Sequence, residues 1–234
     1  MGSEINSAYS AQPSIARPNP FVSIAIKHIL EKGLIVGHFS KLTVADQGCG
    51  KLRHLTTIAR YFDTIYLIDT EFQLNRTQRL FDRDDLTIRE YVANLKMRSK
   101  KLVVLSDLDF DSSSLNLDIV FNVCVFDVVV PKARKAMAAA AYKNLRELGL
   151  YVVIIPRNDQ SLLVRCTAKN RYLDGHIFQH HGVTTFYKNY GDTKPLIDNL
   201  ERQGFGVEAD LSVHRQVCLI LRKRAPRAAA DAGH

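Results

Sequence analysis

The chain has 234 residues, 46% hydrophobic and 24% charged, which is enough apolar material for a large core in one domain. No apolar run reaches about eighteen residues, and the first 20 residues are mostly polar with three prolines, so neither a membrane span nor a signal peptide is expected, and the location expected is cytoplasmic. The net charge of +8 favours a polyanionic partner, but Arg222, Lys223, Arg224 and Arg227 carry four of those charges, and without them the excess is +4. Cys49, Cys124, Cys166 and Cys218 are widely spaced with no Cys-x-x-Cys pair, a pattern of reduced thiols rather than of a disulfide framework or zinc site.

Residues 1–19 lack apolar periodicity and read as a flexible lead, so the domain is expected over 20–221, followed by a disordered basic tail over 222–234. Helical spacing over 21–30 ends before Gly33. The run Thr43-Val44-Ala45-Asp46-Gln47-Gly48-Cys49-Gly50-Lys51 is an apolar strand passing through an acid into two glycines one residue apart, followed by an amphipathic helix over 52–61. A second strand over 64–68 ends in Asp69, and helices are expected over 71–81 and 86–97. The third strand, 102–105, empties into Ser106-Asp107-Leu108-Asp109-Phe110. Asp118 opens a fourth strand from Ile119 that ends between residues 121 and 125. After Pro131 a helix over 133–148 is expected to stop at Gly149, and 150–155 forms the fifth strand. Residues 157–190 show little periodicity and carry three of the eight histidines, as a lid or substrate loop would. A helix over 195–203 and strands over 207–211 and 216–221 close the chain.

Glycines spaced as Gly48 and Gly50 permit a tight turn and close approach of a ligand to the backbone. An acid at the end of the next strand can accept hydrogen bonds from both ribose hydroxyls of a nucleoside. Over roughly residues 41–221 this arrangement resembles the class I S-adenosylmethionine-dependent methyltransferases. The resemblance implies a Rossmann-like, doubly wound α/β fold whose mostly parallel seven-stranded sheet carries an antiparallel C-terminal edge strand. It implies S-adenosylmethionine as cofactor, with Asp46 toward its amino end, Gly48 and Gly50 in the loop, Asp69 on the ribose, Asp107 and Leu108 at the adenine, and the backbone near Asn122 facing the methyl donor. Two positions depart from the family pattern: Leu52 stands where a third glycine is common, and Gln47 where an aliphatic residue is usual. A dinucleotide-dehydrogenase fingerprint would need glycine in place of Arg53.

The acceptor side is less defined, because methyl transfer relies on positioning and water exclusion rather than on one obligatory residue. The chain lacks the Asp/Asn-Pro-Pro-Tyr/Phe run and the Pro-Cys pair of DNA-base methyltransferases. The segment Thr184-Thr185-Phe186-Tyr187-Lys188 is similar to a stretch of methyltransferases associated with DNA phosphorothioation. Candidate catalytic residues are Asp127, just beyond the fourth strand, and His176 and His181 in the segment 157–190, which is expected to cover the acceptor rather than the cofactor. Gly175 and Gly182 favour a loop around these histidines, and no cysteine nearby completes a metal site with His176 and His180. The leading expectation is a methyltransferase acting on a nucleic acid or small molecule, against a non-catalytic scaffold that keeps the fold.

Overall fold

The computed structural model describes residues 18–225 apart from 82, 96, 98 and 181. Helix α1 (Pro20–Glu31) is started by Asn19, whose side chain accepts from the Phe21 N–H. Asn19, expected in the lead, is buried, and its amide reaches Gln216 Oε1 at 3.3 Å.

The main sheet contains β1 (Thr43–Gln47), β2 (Thr64–Asp69), β3 (Lys101–Ser106), β4 (Leu117–Val123), β5 (Leu145–Pro156), β6 (Phe205–Asp210) and β7 (Gln216–Lys223). Their spatial order is β3-β2-β1-β4-β5-β7-β6. The first five pair in parallel, whereas β7 is antiparallel to both β5 and β6. The expected antiparallel strand is therefore at this end of the sheet, but it slots inside β6, which forms the margin. The strand also runs through Arg222 and Lys223, which were expected in the tail. Arg222 pairs with Glu208 at 2.7 Å, and Lys223 donates to the Leu145 carbonyl at 2.6 Å, so both cations serve the fold. Arg227 lies outside the described residues.

Both faces of the sheet are covered, as parallel strands require. Val44, Ile65, Leu67, Ile119 and Phe121 pack with α1 on one face, and Ala45, Ile68, Val120, Tyr151 and Val153 with the later helices on the other. Between β1 and β3 lie α2 (Leu55–Ile58), α3 (Glu71–Asn75) and α4 (Ile88–Asn94). Helix α2 is much shorter than the expected 52–61: Leu52 adopts φ +58, which keeps it out of a right-handed helix, and residues 53–54 and 59–61 are turns. The expected helices at 71–81 and 86–97 are likewise cut short by a hairpin of strands Gln78–Leu80 and Arg83–Leu86. A reciprocal Thr87–Glu90 capping box then fixes the start of α4.

Helix α5 (Asp107–Ser112) follows β3, and α6 (Pro131–Asn144) follows β4. Gly149 does not stop α6; the helix ends at Asn144, and Gly149 lies in an irregularity of β5 where a Cβ would come within 3.1 Å of the Leu117 carbonyl. The described residues of 157–190 form α7 (Gln160–Leu163), a 3₁₀ turn, and a three-stranded antiparallel sheet of Arg171–Tyr172, Gly175–His180 and Val183–Tyr187. Helix α8 (Lys194–Arg202) leads back to β6. No helix among the described residues is long and apolar enough to cross a membrane.

Candidate active site

The loop after β1 is tied to the end of β2. The Gly48 and Cys49 N–H groups both donate to the Ile68 carbonyl, at 2.8 and 3.0 Å, and the Gly50 N–H donates to Asp69 Oδ2 at 2.8 Å. The two glycines serve different ends. At Gly48 (φ +83) a Cβ would lie 2.4 Å from Val125 Cγ2, so the residue must be small for the strand to pass under the loop following β4. At Gly50 (φ +52) a Cβ would meet nothing nearer than the Gly48 carbonyl at 3.8 Å, so space lies beside this backbone. Leu52 keeps a left-handed backbone where the family often has glycine, and its side chain is fully buried in the core.

Asp46 is completely buried, and neither carboxyl oxygen has a hydrogen-bond partner. Burial, and then the nearby Asp69 charge, push its pKa from 3.8 up to about 7. Asp69 accepts from the Gly50 and Thr70 N–H groups, each at 2.8 Å. Burial still raises it to about 6, against those two hydrogen bonds. Asp107 lies at the neighbouring strand end, where Ser106 pairs in register with Asp69, and its carboxyl accepts from the Leu108 N–H at 3.1 Å. Burial raises Asp107 as well, and Leu108 is 75% exposed beside it. Asp46, Gly48, Gly50, Asp69, Asp107 and Leu108 thus lie at or just beyond the carboxyl ends of three adjacent strands.

Asn122 is placed differently. Its side chain points to the α6 face and donates to Gln47 Oε1 at 3.4 Å, the same oxygen that accepts from the Tyr151 hydroxyl at 3.0 Å. Gln47 also donates to the Met137 carbonyl at 2.9 Å, so this residue, unusual for the family, is satisfied within a buried polar network. Asn122 Oδ1 is left without a partner.

Beyond β4, Asp127 is fully buried and its carboxyl is lifted to about 7 by burial, against its own backbone hydrogen bond and the Arg134 charge. Its carbonyl accepts from the Lys188 N–H at 2.7 Å, which joins the segment 157–190 to the loop following β4. Arg134, on the first turns of α6, fixes the same joint. It donates to both Asp174 oxygens at 2.5 Å and to the Tyr190 hydroxyl at 2.8 Å, and its guanidinium lies 5.8 Å from the centres of the Phe186 and Tyr190 rings.

His176 is not in a loop. It is a half-buried strand residue paired in register with Arg171 on one side and Tyr187 on the other. Burial, Arg171 and Lys188 hold its pKa below the ordinary histidine value. His181 lies outside the described residues, and of His180 only the backbone is described. Gly175 is required by packing, since a Cβ would come within 2.5 Å of the Phe186 ring. The segment Thr184–Tyr187 is buried throughout, so its likeness to the phosphorothioation-associated proteins reads as a core pattern of this sheet.

Sequence reasoning missed Arg134, Asp174 and the partnering of Gln47 with Tyr151. A signal for the hairpin existed: the two-residue connection at 181–182 ends in Gly182 and leads into Val183-Thr184-Thr185-Phe186-Tyr187, rich in β-branched and aromatic residues.

No protein-family model matches the chain, and no curated protein shows a significant match to it. Solved structures do. The magnesium protoporphyrin IX methyltransferase from Synechocystis PCC 6803, solved with SAH bound, is 13% identical, with a TM-score of 0.58 over 88% of this chain and 83% of that one. The 1,6-didemethyltoxoflavin-N1-methyltransferase of Burkholderia thailandensis, with its substrate and S-adenosylhomocysteine, is 12% identical, with a TM-score of 0.53 over 92% and 94%. A SAM-dependent methyltransferase of Methanosarcina mazei is 12% identical, with a TM-score of 0.58 over 84% and 98%. The chain therefore has the Rossmann-like α/β fold of the class I methyltransferases.

Proposed function

We propose that this protein is an S-adenosylmethionine-dependent methyltransferase whose cofactor is held by Asp46, the Gly48–Gly50 loop and Asp69. The observation that carries the reading is the Asp46 carboxyl, fully buried with both oxygens unpartnered beside a second strand-end acid. A buried carboxyl without donors is costly unless a ligand supplies them, and an ammonium group matches that need. Asp69 holds the loop through the Gly50 N–H and accepts locally from Thr70, which leaves part of its acceptor capacity for ribose hydroxyls. The open side of Gly50 gives a ligand room against the backbone, and Asp107 and Leu108 would border a purine. Asn122 would contribute its unpaired oxygen or backbone rather than a free amide.

When bound, S-adenosylmethionine supplies an electrophilic methyl group on a sulfonium. The chain's own residues orient the partners and exclude water: the sheet of residues 171–187, clamped by Arg134, covers the side on which Asp127 lies. A non-catalytic scaffold would draw on Leu52, but that side chain is absorbed by the core and does not protrude into the loop. The structural roles of Arg222 and Lys223 weaken the case for a polyanionic acceptor.

Calorimetry of the full chain with S-adenosylmethionine and S-adenosylhomocysteine tests the proposal. Saturable binding that is lost on Asp69→Ala is expected, and absence of binding to the folded wild type overturns it.

A further inference from the structure

A second unpartnered group lies apart from the cofactor residues. Tyr187 is fully buried, and its hydroxyl has no hydrogen-bond partner. It ends the strand Val183–Tyr187, and the adjoining Lys188 N–H donates to the Asp127 carbonyl at 2.7 Å, which sets the phenol beside the loop that carries Asp127. Leu162 and Phe178 pack against the Tyr187 ring, so the side chain is held in place. Cys124, at the end of β4, connects this region with the cofactor side: its thiol is pushed up by burial, then by Asp127, and also by Asp46. Burial and the Asp127 charge keep the Tyr187 phenol protonated, so at neutral pH it is a donor in search of an acceptor. Asp127, lifted to about 7 by burial, can be ionised and then take up a proton.

We propose that Asp127 and Tyr187 form the acceptor subsite, and that it takes a small molecule bearing an N–H or O–H next to a carbonyl or ring nitrogen, as in a lactam or an enolic heterocycle. The inference rests on the methyltransferase reading of Asp46 and Asp69. Tyr187 donates to the carbonyl or ring nitrogen, and Asp127 receives the proton of the neighbouring N–H or O–H. The acceptor atom gains the methyl carbon, the carbon–sulfur bonding pair stays with sulfur as a neutral thioether, and the acceptor's proton passes to Asp127. The positive sulfonium and the negative carboxylate are neutralised together, so no net charge is left in the buried site. Both groups are buried, which favours a small acceptor over a duplex nucleic acid.

The test uses the full chain with 2-pyridone, which presents N–H beside C=O, and with its N-methyl derivative, which lacks the donor. Binding is followed by ligand-observed NMR with and without S-adenosylhomocysteine. We expect 2-pyridone to bind about tenfold more tightly than the N-methyl compound, and Asp127→Asn and Tyr187→Phe each to remove about tenfold. S-adenosylhomocysteine affinity should be unchanged in both variants. In the ligand-free protein Tyr187→Phe should melt no lower than wild type, because it removes an unsatisfied hydroxyl. Equal binding of the two compounds, no binding of 2-pyridone, insensitivity to Tyr187→Phe, or a lower melting temperature for that variant would overturn the assignment. If Asp127→Asn fails to fold, Tyr187→Phe decides alone. Loss of S-adenosylhomocysteine binding by the wild type would instead refute the methyltransferase reading, while the pyridone comparison is still read on the ligand-free chain.

Discussion

Substituting Asp46→Asn should make the protein more stable and a poorer binder at once. The carboxyl has an ordinary pKa of 3.8 in the unfolded chain and about 7 in the folded one, where it is completely buried and faces Asp69. Between those values the folded state holds a proton that the unfolded state has lost, so stability is highest below about pH 4 and declines as pH rises to about 7. At about 1.4 kcal/mol per pH unit this interval is worth about 4 kcal/mol, an upper figure because relaxation and coupling to Asp69 reduce it. Asp69, raised to about 6, acts in the same direction over a narrower window. Other groups titrate over the same range, so the informative quantity is the difference between wild type and variant. Urea denaturation at pH 8 should show the variant about 2–4 kcal/mol more stable, with the gap closing toward pH 4. At pH 8 its affinity for S-adenosylhomocysteine should fall by about 1.5–3 kcal/mol, since a charge-assisted hydrogen bond is lost. A variant that is less stable at pH 8 would mean that the carboxyl is already satisfied. A stabilised variant with unchanged affinity would mean that Asp46 serves some other ligand.

Gly48→Ala should cost about 2 kcal/mol or more in urea denaturation, because its Cβ meets Val125 and the backbone is left-handed. Gly50→Ala carries only the backbone strain of about 1 kcal/mol, yet should lose S-adenosylhomocysteine affinity; equal effects of the two substitutions on stability would contradict the distinction. Asp69→Ala should weaken binding by about 1.5–3 kcal/mol by calorimetry, and a folded variant of wild-type affinity would remove Asp69 from the site. Arg134→Met should destabilise by about 1–2 kcal/mol and speed proteolysis within residues 157–190, since it removes the ion pair with half-exposed Asp174 and one of the two partners of the Tyr190 hydroxyl, which keeps the Phe126 carbonyl; unchanged proteolysis would show that the clamp does not hold the cover. His176→Ala should spare cofactor affinity and lower turnover, and full turnover would leave this residue a strand position only.

The loop proposed to hold the cofactor is legible because its parts are close in sequence: an apolar run passes through an acid, and two glycines follow. Positions that depend on three-dimensional neighbours are not. Nothing local distinguishes Gly48, which must clear Val125, from Gly50, which faces open space. Leu52 departs from the family pattern in sequence, yet its backbone keeps a left-handed turn and its side chain joins the core. Nothing local marks Arg134 on its alanine-rich helix, because its partner Asp174 is 40 residues away. The sheet over 171–187 escaped notice because Thr184–Tyr187 are buried on both faces and lack the alternation that marks a strand.

This asymmetry has a physical basis that bears on the acceptor. The residues proposed to hold the cofactor are set by the loops at the carboxyl ends of adjacent strands and need few constraints elsewhere. The proposed acceptor subsite instead depends on a tertiary joint: the Lys188 N–H is bonded to the Asp127 carbonyl, and Arg134 holds Asp174, Phe186 and Tyr190 around one guanidinium. Loosening that joint should therefore separate the two halves: Asp174→Asn, which keeps the shape but removes the ion pair, should leave S-adenosylhomocysteine affinity intact while weakening 2-pyridone about threefold to tenfold. The modest figure follows from the exposure of Asp174, whose side chain is 44% accessible and so only partly shielded from water. If both affinities fell together, the cover would be part of the cofactor pocket, and the division of the site into a locally encoded half and an assembled half would be wrong.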